Sequence, residues 1–565
     1  MNELSYAYAA ENAPHSWQYF VEHFDNRTQA VRDSKYAYTL SNGSYYVGVD
    51  PPAGSTPAGI LYPRGGTLGG SSQVNAMNAA WAPDSEWDYI AELTGDDSWR
   101  HEEMRRHLMA LENATYVRQG TPGHGHDGFL KVSNPPGTLQ TIAEFPNVRS
   151  FFSEIIREVE GEFPNGTEDL ARRLGRDLNR VDTDRYKPSA YAALTAIDPE
   201  TASRSGIARH LNAVVAAGHP LTVSLHSLAQ KIIFEEGKTG PKAVAIEYQK
   251  GEGLYSAGGQ YNASQEGEVR AVRGKEIIIS GGTFNTPQIL KLSGIGPREE
   301  LEALDIPVVM DLPAVGNFMQ DNYETSVTIR AQEPWLNTSG PCTGTFDASD
   351  PCFVMWQTNA TGPYVSAAYL LFNSRSSVSW NEESDLCFGS VPTGVKPGFW
   401  PGYSNLSSDP HYWSTSVIKM QTANPAGTVQ LRSKDPRITP AINFHFFKQN
   451  ADHDLTALSE AAELLFRGYD NTGIPYERVW PSPDVSLAQG IKDETFSHHA
   501  TSSCRMGPQN ATAAEACVDS KFRVKGVEAL RIVDASVWPR VPGSFVNLPT
   551  FTMSTKAVEV ILNKE

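Results

Sequence analysis

The chain has no apolar run approaching the roughly 20 residues that a membrane-spanning helix needs. It also lacks any cluster of basic residues: 47 Lys and Arg stand against 65 Asp and Glu, for a formal charge of −18. With no basic stripe to release counterions from a polyanion, neither nucleic acid nor a membrane surface is expected as a partner. Cysteine is scarce. Five residues allow two bridges and one free thiol, and Cys342 with Cys352 and Cys504 with Cys517 are the close pairs. The opening MNELSYAYAAEN has neither the charged start nor the apolar centre of a signal peptide. One absence bears on function directly: nothing before Tyr62 reads as a strand, a Gly-x-Gly-x-x-Gly turn and a helix.

What is there is ordinary globular material, 40% apolar and 20% charged over 565 residues. That length suits roughly two to four domains with a large core. Asn-x-Ser/Thr acceptors at Asn26, Asn42, Asn113, Asn165, Asn262, Asn337, Asn359, Asn405 and Asn510 exceed what chance placement gives. With the cysteine pairs they favour a secretory-pathway protein. Residues 1–62 are aromatic and polar and read as a wrapping segment. Residues 83–204 alternate helical patterns, as over 149–160 and 169–174, with polar loops. After Pro220 the period becomes two: residues 221–237 and 241–251 read as strands joined by a turn, and 266–280 ends in a β run, Glu276-Ile-Ile-Ile-Ser280.

Three stretches carry chemistry. Tyr62-Pro-Arg-Gly-Gly-Thr-Leu-Gly-Gly-Ser-Ser-Gln-Val-Asn-Ala-Met-Asn78 is a glycine-rich loop whose backbone N–H groups can approach an anion. By itself it fits a plain loop equally well. Residues 281–296 read as a glycine turn after a strand and a short helix ended by Gly294 and Gly296. The third stretch, residues 497–556, begins with the adjacent His498 and His499 and passes through an apolar strand to Asp534. It then turns at a Pro/Gly-rich corner and ends in a small-residue helix pattern. A histidine pair alone would suit two hydrogen-bonded core residues. Beside two glycine-rich anion cradles it suits a buried base next to a cofactor.

The order of these motifs resembles the glucose-methanol-choline flavin oxidoreductases over nearly the whole chain. Residues 282–296 match that family's second signature, and 63–78 match its first, with Gly66 where a lysine is common. Residues 315–322 (VGNFMQDN), Ser433-Lys-Asp-Pro with Pro440, and 499–507 resemble further family segments. The resemblance implies an α/β protein with a discontinuous Rossmann-like FAD-binding domain, its N-terminal βαβ unit missing, over residues 1–82, 205–322 and 500–565. It implies an α+β substrate domain with a large antiparallel sheet over 83–204 and 323–499. Arg64, Thr67, Gly70, Ser71, Asn75, Ala76 and Asn78 are expected along the diphosphate and isoalloxazine. Ala229 is expected at the adenine, Asp534 and Ala535 at the ribityl phosphate, and Val546 and Asn547 at the flavin. Val74 occupies the place where some relatives attach FAD to a histidine, so the FAD is expected to be non-covalent.

The implied chemistry is oxidation of a primary alcohol, an aldehyde or a related small, secondary-metabolite substrate, with oxygen or another acceptor taking the electrons. His499 falls at the family's base position, with His498 beside it. The partner of that base stays open between Phe545, from counting back from Lys556, and Asn547, from the Asn-x-Pro flavour. If Phe545 faces the flavin, Arg540 becomes the candidate to hold an oxyanion or carboxylate; double histidines and a Pro-Arg-x-Pro-Gly corner also occur in relatives resembling formate oxidase. The alternatives are a non-redox lyase or cyclase on the same fold, or an inactive remnant. The missing dinucleotide unit suggests a sequence that starts at an internal Met, for which poor FAD retention is expected.

Overall fold

The structure, a computed structural model, describes residues 6–134, 145–335, 341–343, 345–362, 364, 370–392, 394–405 and 409–563. Residues 1–62 are more than a wrapping segment. The strand Ser16–Val21 pairs antiparallel with Thr56–Gly65, placing Tyr19 opposite Tyr62, and the short strands Ala37–Thr39 and Tyr45–Val47 complete a four-stranded sheet. Aromatic residues at intervals that the polar neighbours obscure in sequence drive this: Tyr19, Tyr36 and Tyr62 are all fully buried. The sheet delivers the glycine-rich loop, because Thr56–Gly65 runs straight into it.

The hairpin expected after Pro220 is present, but its first strand is Ser227–Glu236, not 221–237. Residues 221–226 are not in a strand, and Leu221 and Leu225 are exposed. A third strand, Glu268–Arg273, extends the hairpin. Next, Ile277–Ile279 pairs in parallel with Leu530–Ile532, from the far end of the chain. This pairing sets the site. Both strands end together, so the helix Gly282–Leu292 that follows the first meets Asp534 that follows the second. Ligands of open α/β sheets collect at such carboxyl ends.

The other half is built on a six-stranded antiparallel sheet. Its order runs Tyr476–Trp480, Tyr323–Ala331, Tyr412–Lys419, Leu386–Pro392, Leu370–Ser374, Ser189–Ala192, and all six strands fall within 83–204 and 323–499. The helices Pro146–Glu160 and Ala451–Asn471 cover one face. Val148, Phe151, Phe152, Ile155 and Ile156 form a stripe at helical spacing, and Phe151 stacks on Tyr469 with ring centroids 4.5 Å apart. Gly161 ends that helix in the left-handed region. Cys342 is bridged to Cys352 and Cys504 to Cys517, leaving Cys387 free and buried. Among the described residues no helix is long and apolar enough to cross a membrane.

Candidate active site

A cavity of about 1710 Å³ runs between the two halves. One wall is the glycine-rich loop after Arg64; another is the start of the Gly282–Leu292 helix; the start of the C-terminal helix Asn547–Leu562 closes a third side. The loop can fold so tightly only with glycine. A Cβ on Gly65 would stand 2.3 Å from the carbonyl of Gly70. Asp534 fixes the helix start, accepting from the Gly282 N–H at 2.9 Å and the Thr286 hydroxyl at 2.6 Å, while its other oxygen caps Ser536. Two helix N-termini therefore open on one cavity with their positive dipole ends, and Asp534 already takes the Gly282 N–H at one of them.

At the end of this cavity nearer the six-stranded sheet stand the two histidines. Residues 496–501 run antiparallel to 320–324, joined at Glu324 with Phe496 and at Gln320 with Thr501. Between those bridges the strand Tyr323–Ala331 and the two residues before it grip each histidine separately. The His499 N–H donates to Asp321 Oδ1 at 2.8 Å, and Nδ1 of His499 lies 2.8 Å from Asn322 Oδ1. Which way that carboxamide points is decided by its other end: Asn322 Nδ2 faces the carbonyls of Lys419, Met420 and Gly543. The oxygen must therefore face His499, so Nδ1 carries the proton and Nε2 the lone pair. Among the described residues no group bonds Nε2. Burial, then the charges of His498 and Arg64, hold His499 well below the usual histidine value, so the imidazole is neutral.

Asp321 anchors the backbone here. It accepts from the Tyr62 hydroxyl, whose oxygen accepts from the Ala500 N–H at 2.8 Å. Burial pushes its carboxyl up to about 6, against the lowering effect of the Tyr62 bond. Arg64 Nη1 donates to the carbonyl of His498 at 3.2 Å. The ring of His498 lies 4.0 Å from that of His499, and its Nδ1 lies 3.0 Å from Glu324 Oε2. Burial disfavours a charge on His498, but the Glu324 carboxylate outweighs it and raises the histidine above its usual value.

The structure brings nearly all the sequence-predicted residues to this one cavity. Arg64, Thr67, Gly70, Ser71, Asn75, Ala76 and Asn78 line it along the loop, with Ala229, Asp534 and Ala535 on the sheet side. Phe545, Val546 and Asn547 line it at the C-terminal helix, with His498 and His499 at the end. Of the two possible partners of His499, Phe545 meets its ring edge-on at 5.7 Å. Arg540 is elsewhere. Its guanidinium forms a two-point ion pair with Glu86, at 2.7 and 3.0 Å, lies over the Tyr89 ring and lines a separate small cavity. The corner reaches His499 through Gly543 instead, whose carbonyl takes one Asn322 proton. Gly543 is held at φ +107, and a Cβ there would meet Pro83 at 2.8 Å. Asn322, Asp321 and Glu324 were not singled out in the sequence; the only signal was that 315–322 forms a recognisable segment.

Two family models of the GMC oxidoreductases match, the N-terminal one over residues 53–324 and the C-terminal one over 423–554. The chain belongs to the GMC oxidoreductase family. Among curated relatives, the glucose methanol choline oxidoreductase atC of Aspergillus terreus is 28% identical over 541 residues, 91% of this chain and 81% of that protein. The oxygen-dependent choline dehydrogenase of Pseudomonas fluorescens Pf-5 is 26% identical, over 96% of this chain and 87% of its own length. A formate oxidase structure from Aspergillus oryzae superposes with a TM-score of 0.73 at 18% identity, covering 100% of this chain and 91% of that one. The fold of this GMC oxidoreductase is thus that of flavoprotein oxidases, and its cofactor is FAD. The cavity fits that group: two helix N-termini and a glycine-lined wall suit a diphosphate. Val74, which has no nucleophilic atom, also lines it.

Proposed function

We propose that this GMC oxidoreductase oxidises a primary alcohol, an aldehyde or a related small, secondary-metabolite substrate, with His499 as the base. The single observation that carries the reading is the Asn322–His499 pair, which leaves a neutral imidazole with a free Nε2 lone pair at the end of the cavity. Bound FAD would supply the hydride acceptor and the route for electrons to oxygen or another acceptor. The hydroxyl proton goes to His499 Nε2 as the C–H hydride departs, leaving a carbonyl. Arg64, the glycine loop, Ala229 and the starts of the two helices are the residues proposed to hold the cofactor. The division at 83–204 and 323–499 for the substrate half is likewise supported by the six-stranded sheet.

The test is an absorption spectrum of the holoenzyme, without oxygen, during addition of aryl and aliphatic alcohols. Bleaching of the flavin band by an alcohol supports the reading. A bound flavin that no alcohol or aldehyde bleaches would replace it with acid–base chemistry without net redox.

A secretory route is supported by seven exposed acceptor asparagines, at 26, 42, 165, 262, 359, 405 and 510, and by two disulfides. Asn113 is half-buried, and Asn337 lies outside the described residues. Protein from a eukaryotic host should lose mass on treatment with an N-glycosidase.

A further inference from the structure

Two buried polar atoms at the histidine pair have no hydrogen-bond partner among the described residues, Nδ1 of His498 and Oε2 of Glu324. They lie 3.0 Å from each other, close enough for an ion pair but not aligned as a hydrogen bond. Among the described residues Glu324 is the charged group in direct contact with His498, and Asp321 adds a second negative charge near the ring. A bare imidazole nitrogen set against a carboxylate oxygen would be repulsive, so Nδ1 carries a proton; a carboxylate left this deep with a neutral neighbour would be largely uncompensated. Phe399 meets the His498 ring edge-on with centroids 5.4 Å apart, and Phe496 lies nearly parallel to it at 6.3 Å. The charged groups that act on it are Glu324 and Asp321 from one strand segment and Arg64 from another, with neutral His499 alongside. Its Nε2 is not among the buried unpaired atoms, and the residue lines the cavity.

From this geometry we propose that Glu324 holds His498 as an imidazolium whose Nε2–H donates to the substrate oxygen, so that a cationic donor and a neutral base act on one hydroxyl. The proposal rests on the reading of His499 as base at this cavity. It assigns His498 the catalytic contact and Glu324 a positioning role. It also accounts for Phe545, which places no hydrogen-bond donor beside His499. Glu324 and Asn322 lie two residues apart on the same strand segment, so one segment sets opposite protonation states on two adjacent rings. Oxygen that gains negative charge as its proton leaves for His499 is then stabilised by a charge-assisted bond.

The experiment uses holoenzyme labelled with ¹⁵N-histidine, with His498 assigned by loss of its signals in His498→Asn. Wild-type His498 should show two protonated ring nitrogens at pH 7.5, and Glu324→Gln should show one. A single protonated nitrogen in the wild type overturns the proposal without any variant having to fold. Anaerobic flavin bleaching by an alcohol active on the wild type gives the second readout. Glu324→Gln should slow it on the order of ten- to a hundredfold at pH 7.5 and move its alkaline limb to lower pH, while Glu324→Asp retains the limb. An unchanged alkaline limb in Glu324→Gln contradicts the positioning role. If no alcohol bleaches the flavin, the oxidation reading fails, and the nitrogen signals still decide the charge of His498.

Discussion

Asn322 fixes which nitrogen of His499 holds the proton, leaving Nε2 free for the proposed role as base, and the consequence is measurable. Asn322→Ala leaves Nδ1 without its acceptor in a buried site, at a cost of about 1–3 kcal/mol, so anaerobic bleaching should slow roughly ten- to a hundredfold with FAD still bound. The pH profile carries the second prediction. Because burial and two neighbouring cations hold His499 well below 6.5, the neutral form persists in acid. The bleaching rate should stay flat as pH falls through 6.5, where an ordinary histidine would lose half its base; half-loss near 6.5 would mean that the ring is less enclosed than its packing shows. Arg540 is expected to leave bleaching intact, since its charge is taken up by Glu86: Arg540→Lys should alter stability before rate.

At the scale of elements, the parallel pairing of Ile277–Ile279 with Leu530–Ile532 joins two segments that line the cavity, and Asp534 locks them. Asp534→Ala would strand the Gly282 N–H, the Thr286 hydroxyl and the Ser536 N–H. A destabilisation of about 1–3 kcal/mol is expected in urea unfolding, with FAD affinity lowered in reconstitution of the apoprotein. Much of this element layout was legible. The apolar run before Gly281, the glycine-bounded helix and the strand ending at Asp534 announce themselves by period and turn residues. What stayed hidden was pairing across distance. Nothing in Gln320–Glu324 signals that it lies against 496–501, because antiparallel partners more than 170 residues apart share no local pattern. The same gap explains the sheet in residues 16–65 and the displacement of Arg540, whose partner Glu86 is more than 450 residues away.

Across the whole molecule, histidines make stability depend on pH in two directions. His124 is buried between Glu112 and Asp177, at 3.2 and 2.9 Å. Burial alone would lower its value, but the bonds to Asp177 and Glu112 outweigh it and raise it to about 9 from 6.5. A raised value means a contribution fully present below about 6.5 and lost as pH climbs through 9, on the order of 1–3 kcal/mol. The urea midpoint should therefore fall between pH 6.5 and 9.5, and His124→Gln should flatten that slope. His23, lowered to about 3 by burial, acts the other way, with His499: their contribution is present above about 6.5 and fades as pH falls below it. Maximum stability is expected near neutrality.

Whether His499 takes the substrate proton is decided by single-turnover bleaching of the flavin by an active alcohol, without oxygen, in wild type and His499→Ala. FAD should be bound in both, with bleaching slowed by about 10²–10⁴-fold in the variant. Equal rates in the two proteins would contradict His499 as the base.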